Sequence, residues 1–139
     1  MLPISDQLSI VKQTVALEAE GETTLGKLGV LWVILNRGKR KQQPLHQVCW
    51  QKWQFSCWND MIYAIQRLNS ISDKVYKESE KLIAGTQSKL TGYSDPTFGA
   101  THYLNLELTK KQNGGKLPSW VAKLRHTATI GLHDFYVEK

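Results

Sequence analysis

Glu18 and Glu22 are carboxylates out of pattern. Leu8, Val11 and Val15 recur at the three- and four-residue steps of an amphipathic helix, and the next steps of that stripe fall on Glu18 and then Glu22. A carboxyl on an apolar face is desolvated, and at a helix C-terminus it also meets the negative end of the macrodipole; both effects favour the protonated acid. So placed, Glu18 is suited to donate a proton near neutral pH. A second reading has the helix fray before Glu18, leaving Glu18, Glu20 and Glu22 as a solvated acidic turn, and spacing alone does not choose. Cys57 precedes a predicted helix start at Asp60, a setting that lowers a thiol's pKa, so with His102 or His133 it offers a thiolate nucleophile. A free cysteine is more often a small buried hydrophobe, and no motif ties Cys57 to either histidine. His46, His102, His126 and His133 lack H-E-x-x-H or any compact metal spacing, so no metal and no cofactor is expected. Trp50, Trp53, Phe55 and Trp58 form an aromatic segment able to stack on sugars or bases and to fill a core.

These residues need elements to hold them. The first helix is expected from about Asp6 to Glu20, capped by Ser5 and ended by Gly21. Thr23 or Thr24 caps a second helix carrying Leu25, Leu28, Trp32 and Leu35; its run Val30 to Leu35 is apolar all round and belongs at the centre of the fold. Gly38 closes it near Arg37, leaving Lys39 to Pro44 as a basic loop. A short helix follows at Leu45, Val48 and Cys49. Asp60 caps a helix carrying Ile62, Ile65 and Leu68, and Ser72 or Asp73 caps another carrying Val75, Ser79 and Leu82, closed by Gly85. Beyond Ser94-Asp95-Pro96 the signals turn to short β-rich segments, Ala100 to Tyr103 and Ala128 to Val137, with Asn113-Gly114-Gly115 as a loop or hairpin tip. The fold class is α+β, mainly helical, with a small β element in the C-terminal third.

A chain of 139 residues is expected to form one domain, 1–139, since two halves of that length would each be marginal. The longest apolar run falls far short of the roughly 20 residues a spanning helix needs, so no stable membrane insertion is expected. No charged start followed by an apolar block marks a leader, so the expected localisation is cytoplasmic synthesis without a signal peptide. A net charge of +6 draws the protein to polyanions: nucleic acid, anionic lipid or an acidic wall polymer. The basic runs Arg37 to Lys41 and Lys110, Lys111 and Lys116 read as solvated loops, and neither is assigned a site. Cys49 and Cys57 are too few for a disulfide framework and read as reduced thiols.

Six blocks in order carry a resemblance. They are Glu18-Ala19-Glu20-Gly21-Glu22, Val33-Ile34-Leu35-Asn36-Arg37, Gln54-Phe55-Ser56-Cys57-Trp58, Asp95 to Asn105, Pro118-Ser119-Trp120, and Ile130 to Tyr136. Together they are similar to the cell wall hydrolase family typified by the spore cortex-lytic, SleB-type enzymes, over about Leu8 to Val137. The resemblance implies a lysozyme-like fold and cleavage of the β-1,4 bond between N-acetylmuramic acid and N-acetylglucosamine in peptidoglycan. It implies Glu18 as the single acid-base of a lytic transglycosylase, protonating the glycosidic oxygen and then accepting the proton of the muramic C6 hydroxyl as a 1,6-anhydro ring closes. Glu22, placed one helical turn on, orients Glu18, binds sugar or positions water. His102, Tyr103 and Asn105 match a G-A-x-x-Y-x-N segment expected to line the sugar cleft, with Trp58 and Trp120 as stacking platforms. Two departures stand out: Glu20 at the centre of the first block adds charge beside Glu18, and Leu106 replaces a proline after Asn105, where an altered cleft loop is expected.

A bare catalytic domain without a leader suits a phage or prophage endolysin, expected to be a monomer, that a holin releases to act on the wall for host cell lysis. Three alternatives remain at this stage: a hydrolytic muramidase using the same site, a Cys57-dependent amidase or peptidase, and a nonenzymatic basic domain binding nucleic acid or wall polymer. The preferred reading has peptidoglycan as substrate and no nucleic-acid partner.

Overall fold

The computed structural model describes residues 2–51, 55–87 and 93–139; Trp53 and Gln54, both singled out above, lie outside them. Helix α1 (Ile4–Glu18) opens after Pro3, whose carbonyl accepts from the Asp6 and Gln7 amides, and not at a Ser5 cap. It ends at Glu18, two residues before the expected stop, with Ala19 as C-cap. Arg67 meets this end, donating to the Leu17 carbonyl at 2.9 Å and so satisfying one of the acceptors a helix terminus leaves open.

Helix α2 (Thr24–Lys41) is capped by Thr23, whose hydroxyl accepts from the Gly26 amide at 3.1 Å. Val30, Leu31, Val33 and Ile34 are fully buried, so the apolar run does lie at the centre. The helix does not stop at Gly38. It runs to Lys41 and closes on Gln42 in the left-handed region (φ 51°). Lys39, Arg40 and Lys41 are therefore the last helical turn, where positive charge complements the dipole, and Arg40 and Lys41 face Glu138 at 3.8 Å. Gly38 serves packing: a Cβ there would lie 2.9 Å from Leu45 Cδ2.

Helix α3 (Leu45–Trp50) lies against α1 and α2. Helix α4 (Met61–Ser70) is capped by Asp60 as expected, but its buried side is Ala64 with Leu68 packed beside the core, while Ile62 and Ile65 are exposed. Helix α5 (Asp73–Gln87) continues past Gly85, which instead makes room for the Tyr93 ring. Around α2, the helices bury Val11, Val15, Leu17, Val48, Phe55 and Leu82 in one core. No helix among the described residues is long and apolar enough to cross a membrane.

The C-terminal third holds strands β1 (His102–Asn105), β2 (Leu124–Ile130) and β3 (His133–Glu138) in one antiparallel sheet, ordered β1-β3-β2. Tyr103 pairs with Phe135 and Asn105 with His133. Helix α6 (Leu106–Gln112) was not foreseen; its N-cap is Asn105, whose Oδ1 accepts from the Leu108 amide at 3.0 Å. Leu106 occupies the first helical position of α6, a position that proline also favours. The architecture is α+β and mainly helical, as expected.

The sheet is fastened to α2 at two places. Phe135 packs where Gly29 has no side chain; a Cβ there would lie 2.8 Å from the ring. Asn36 Nδ2 donates to Asp95 Oδ2 at 2.9 Å and to the Ala100 carbonyl at 3.0 Å, and the buried Arg37 donates to the Thr101 carbonyl. Asp95 also accepts from the Thr97 and Gly99 amides. The Asn36-Arg37 and Asp95-to-Thr101 blocks thus form a joint that delivers Tyr103.

Lys27, with 7% of its side chain exposed, meets Glu78 Oε2 at 3.2 Å and fixes the start of α2 to α5. The Thr24 hydroxyl, donating at 2.7 Å, and then Lys27 hold the Glu78 carboxyl below its ordinary 4.5. A carboxyl lowered by folding contributes stability above its unfolded pKa, and that contribution is lost as pH falls through the folded value. Glu78→Gln leaves the buried ammonium without its anion, and the expected cost near pH 7 is about 2 kcal/mol. Urea midpoints should show this gap at pH 7 and a smaller one below pH 4.

Candidate active site

Glu18 ends α1 half-buried, and its Oε1 accepts the Cys57 backbone amide at 3.2 Å. Cys57 reaches that position because it lies in a short 3-10 turn, Ser56–Trp58, set against α1. Burial first, and then the neighbouring Glu18 charge, push the Cys57 thiol well above its ordinary value. The expected low-pKa thiol at a helix start is thereby corrected: the turn presents the backbone amide to a carboxylate and shields the sulfur.

Tyr103 comes to Glu18 from β1. Burial and the Glu18 charge raise its phenol well above the usual range, so the hydroxyl stays protonated and available as a donor. Its ring lies among Phe55, Phe135 and His133, with centroids 5.0 Å from His133.

Glu22 is not one helical turn beyond Glu18. It lies in the turn after α1, with its amide donating to the Ala19 carbonyl and its Oε1 3.7 Å from His133 Nε2. Its other oxygen lies beside the first turn of α2 and the Gly131 turn between β2 and β3. His133 is buried, and its Nδ1 has no hydrogen-bond partner among the described residues. The Tyr103 ring, beside Glu18, and the His133 ring, beside Glu22, meet edge-on. The sequence had offered His133 only as a partner for Cys57; its place opposite Asn105 in the sheet, which sets it on Glu22, has no local signature.

The remaining expected residues divide. Trp58 lies near Glu18's turn, but its indole N–H donates to Thr14 at 2.9 Å and its ring meets Trp50 edge-on. Asn105 caps α6 and lines a cleft described below. His102 and Trp120 are not brought to Glu18. Strand alternation sets His102 on the face opposite Tyr103, where it packs on Trp120, which also meets Tyr136. Burial, then the Arg37 charge, lowers His102 to about 4, so its imidazole is neutral there. Glu20 is exposed and paired with Arg67 at 3.3 Å, which offsets the extra charge of the first block.

The family model described as Cell Wall Hydrolase matches residues 21–136. The chain belongs to the cell wall hydrolase family. It is therefore an enzyme that acts on peptidoglycan, the polymer of the bacterial wall. The matched span starts just past Glu18 and includes Glu22, Tyr103, Asn105 and His133. Among solved structures, this cell wall hydrolase is similar to the catalytic domain of the germination-specific lytic transglycosylase SleB from Bacillus anthracis. The identity is 22%, with 94% of this chain and 93% of that one covered, at a TM-score of 0.67. It is also similar to the catalytic domain of the Bacillus cereus SleB protein, at 22% identity over 95% and 90% of the two chains and a TM-score of 0.64. At this identity the likeness establishes the fold. Comparison with curated protein sequences returns no match.

Proposed function

We propose that this cell wall hydrolase is a lytic transglycosylase in which Glu18 is the acid-base. The observation that carries the reading is the setting of Glu18: a carboxyl at the end of α1, held through one oxygen by the Cys57 amide and flanked by the protonated Tyr103 hydroxyl. A fixed carboxyl with one oxygen anchored presents the other to substrate, the geometry that general acid catalysis needs. Glu18 gives its proton to the glycosidic oxygen as the bond from C1 of N-acetylmuramic acid breaks. The C6 hydroxyl of the same sugar then bonds to C1 and returns a proton to Glu18, so no water is consumed and the acid is regenerated. Tyr103, donating to the carboxylate formed midway, is a positioning residue.

The two similar structures, both SleB catalytic domains and one of them described as a lytic transglycosylase, support this choice. Glu22 supports a second reading. A second carboxylate set by His133 beside the same rings is the group a hydrolytic muramidase would use to hold water. Mass spectrometry of digested purified peptidoglycan separates the two: anhydro-muramic ends are the expected products, and reducing ends with one added water would establish the muramidase instead.

The thiol alternative meets a shielded sulfur. Cys57→Ala keeps the backbone amide that holds Glu18, so specific activity should stay within about twofold while stability falls by roughly 1 kcal/mol from lost packing. A folded but inactive Cys57→Ala protein, releasing no stem peptides where the parent does, would replace glycan cleavage with thiol chemistry.

A further inference from the structure

Helix α6 forms one wall of a cleft of about 630 Å³, lined by Asn105, Glu107, Leu108, Lys110, Lys111, Gly115 and Leu132. Sequence alone left Lys110 and Lys111 as solvated loop charges. In the structure they belong to the last turn of α6, and neither makes an ion pair among the described residues. Leu108 and Leu132 add exposed apolar surface, 49% and 65% accessible.

The cleft adjoins the proposed reaction centre. Asn105, one of its lining residues, pairs with His133, the residue that faces Glu22. Leu132 stands between Gly131, where a Cβ would lie 3.6 Å from Glu22 Oε2, and His133. A polymer whose sugar lies at Glu18 and Glu22 therefore has this cleft beside it.

We propose that the cleft is a subsite for the peptide stem of the muramic acid residue, with Lys110 and Lys111 binding its carboxylates and Leu108 and Leu132 its aliphatic parts. The inference rests on the glycan-cleaving reading above. Muramic acid is the sugar that bears a lactyl-linked peptide, and such a stem combines free carboxylates with alkyl side chains. Two unpaired ammonium groups beside two exposed leucines match that combination. Glu107, the one acidic lining residue, gives an acceptor for a stem amine and leaves the cleft with a net positive charge.

The test compares glycan strands of equal length with and without their peptide stems, the latter prepared by amidase treatment. For Lys110→Ala/Lys111→Ala, KM on stem-bearing strands should rise about tenfold, the scale of two weakened charge-assisted contacts, with kcat unchanged. On stripped strands both constants should match the parent enzyme, and Lys110→Arg/Lys111→Arg should restore the KM. An equal rise on both substrates, or no rise on either, would overturn the subsite. A second measurement does not depend on turnover: calorimetric binding of a muramyl tripeptide to Glu18→Gln protein should weaken about tenfold on adding the two alanines, and unchanged affinity counts against the proposal. Failure of the parent enzyme to cut either strand, read without any lysine variant, would instead defeat the glycan-cleaving reading.

Discussion

Replacing Glu18 by glutamine should leave the circular dichroism spectrum unchanged and lower the rate of wall clearing by about 10²–10⁴-fold. The amide is nearly isosteric with the acid and retains a carbonyl oxygen to accept the Cys57 amide, so the end of α1 keeps its partner. In the proposed mechanism, what disappears is the proton donated to the leaving oxygen and the base that recovers it. Tyr103 is held protonated and Glu22 is engaged with His133, so neither is free to take over both proton transfers. A folded Glu18→Gln protein retaining more than about a tenth of parental activity would remove Glu18 from the mechanism, a cut-off well above the residual activity that loss of a general acid leaves. Tyr103→Phe provides the graded comparison. It removes the hydroxyl beside Glu18 while leaving the ring among Phe55, Phe135 and His133, so kcat should fall far less than for the glutamine variant.

Phe135→Ala should be the most destabilising single truncation, at about 3–5 kcal/mol. Phe135 is fully buried, its ring fills the space left by Gly29 on α2, and it packs against Tyr103 and His133. Removing it opens a cavity at the joint between sheet and helices, and it also loosens two residues that carry the candidate site. The thermal midpoint should drop by roughly 10–20 °C for a domain of this size, and activity measured below that midpoint should fall as well. Phe135→Leu, which keeps much of the volume, should cost less than half as much. A loss under about 1 kcal/mol for the alanine variant would mean the sheet is held chiefly by the Asn36 and Arg37 contacts to the segment before β1.

The sequence by itself determined the helical frame and the unusual carboxylate. Hydrophobic spacing along a helix is local, so Leu8, Val11 and Val15 placed α1, and Asp60 and Thr23 marked two helix starts through side chains acting within three residues. The six ordered blocks pointed to the family because they span most of the chain. Helix ends were less legible. Gly38 and Gly85 read as stops, yet each is a packing glycine, and whether a missing side chain serves a turn or a neighbour depends on Leu45 and Tyr93, which sequence does not place. Ile62 and Ile65 formed a good stripe that the folded chain leaves outward.

The tertiary structure alone decided which candidates meet. Tyr103 and His102 are adjacent in sequence, but strand alternation sends one to Glu18 and the other to Trp120. Cys57, read as a possible nucleophile, contributes a backbone amide, because the 3-10 turn buries its sulfur. Glu22 needed a sheet partner, His133, more than a hundred positions away, and Lys110 and Lys111 became a cleft wall only once Asn105 capped an unforeseen helix. Each of these outcomes depends on strand register and on the docking of the sheet against α2. Those are set by contacts between distant segments, principally Gly29 with Phe135 and Asn36 with Asp95, whose energies exist only after the chain has brought them together.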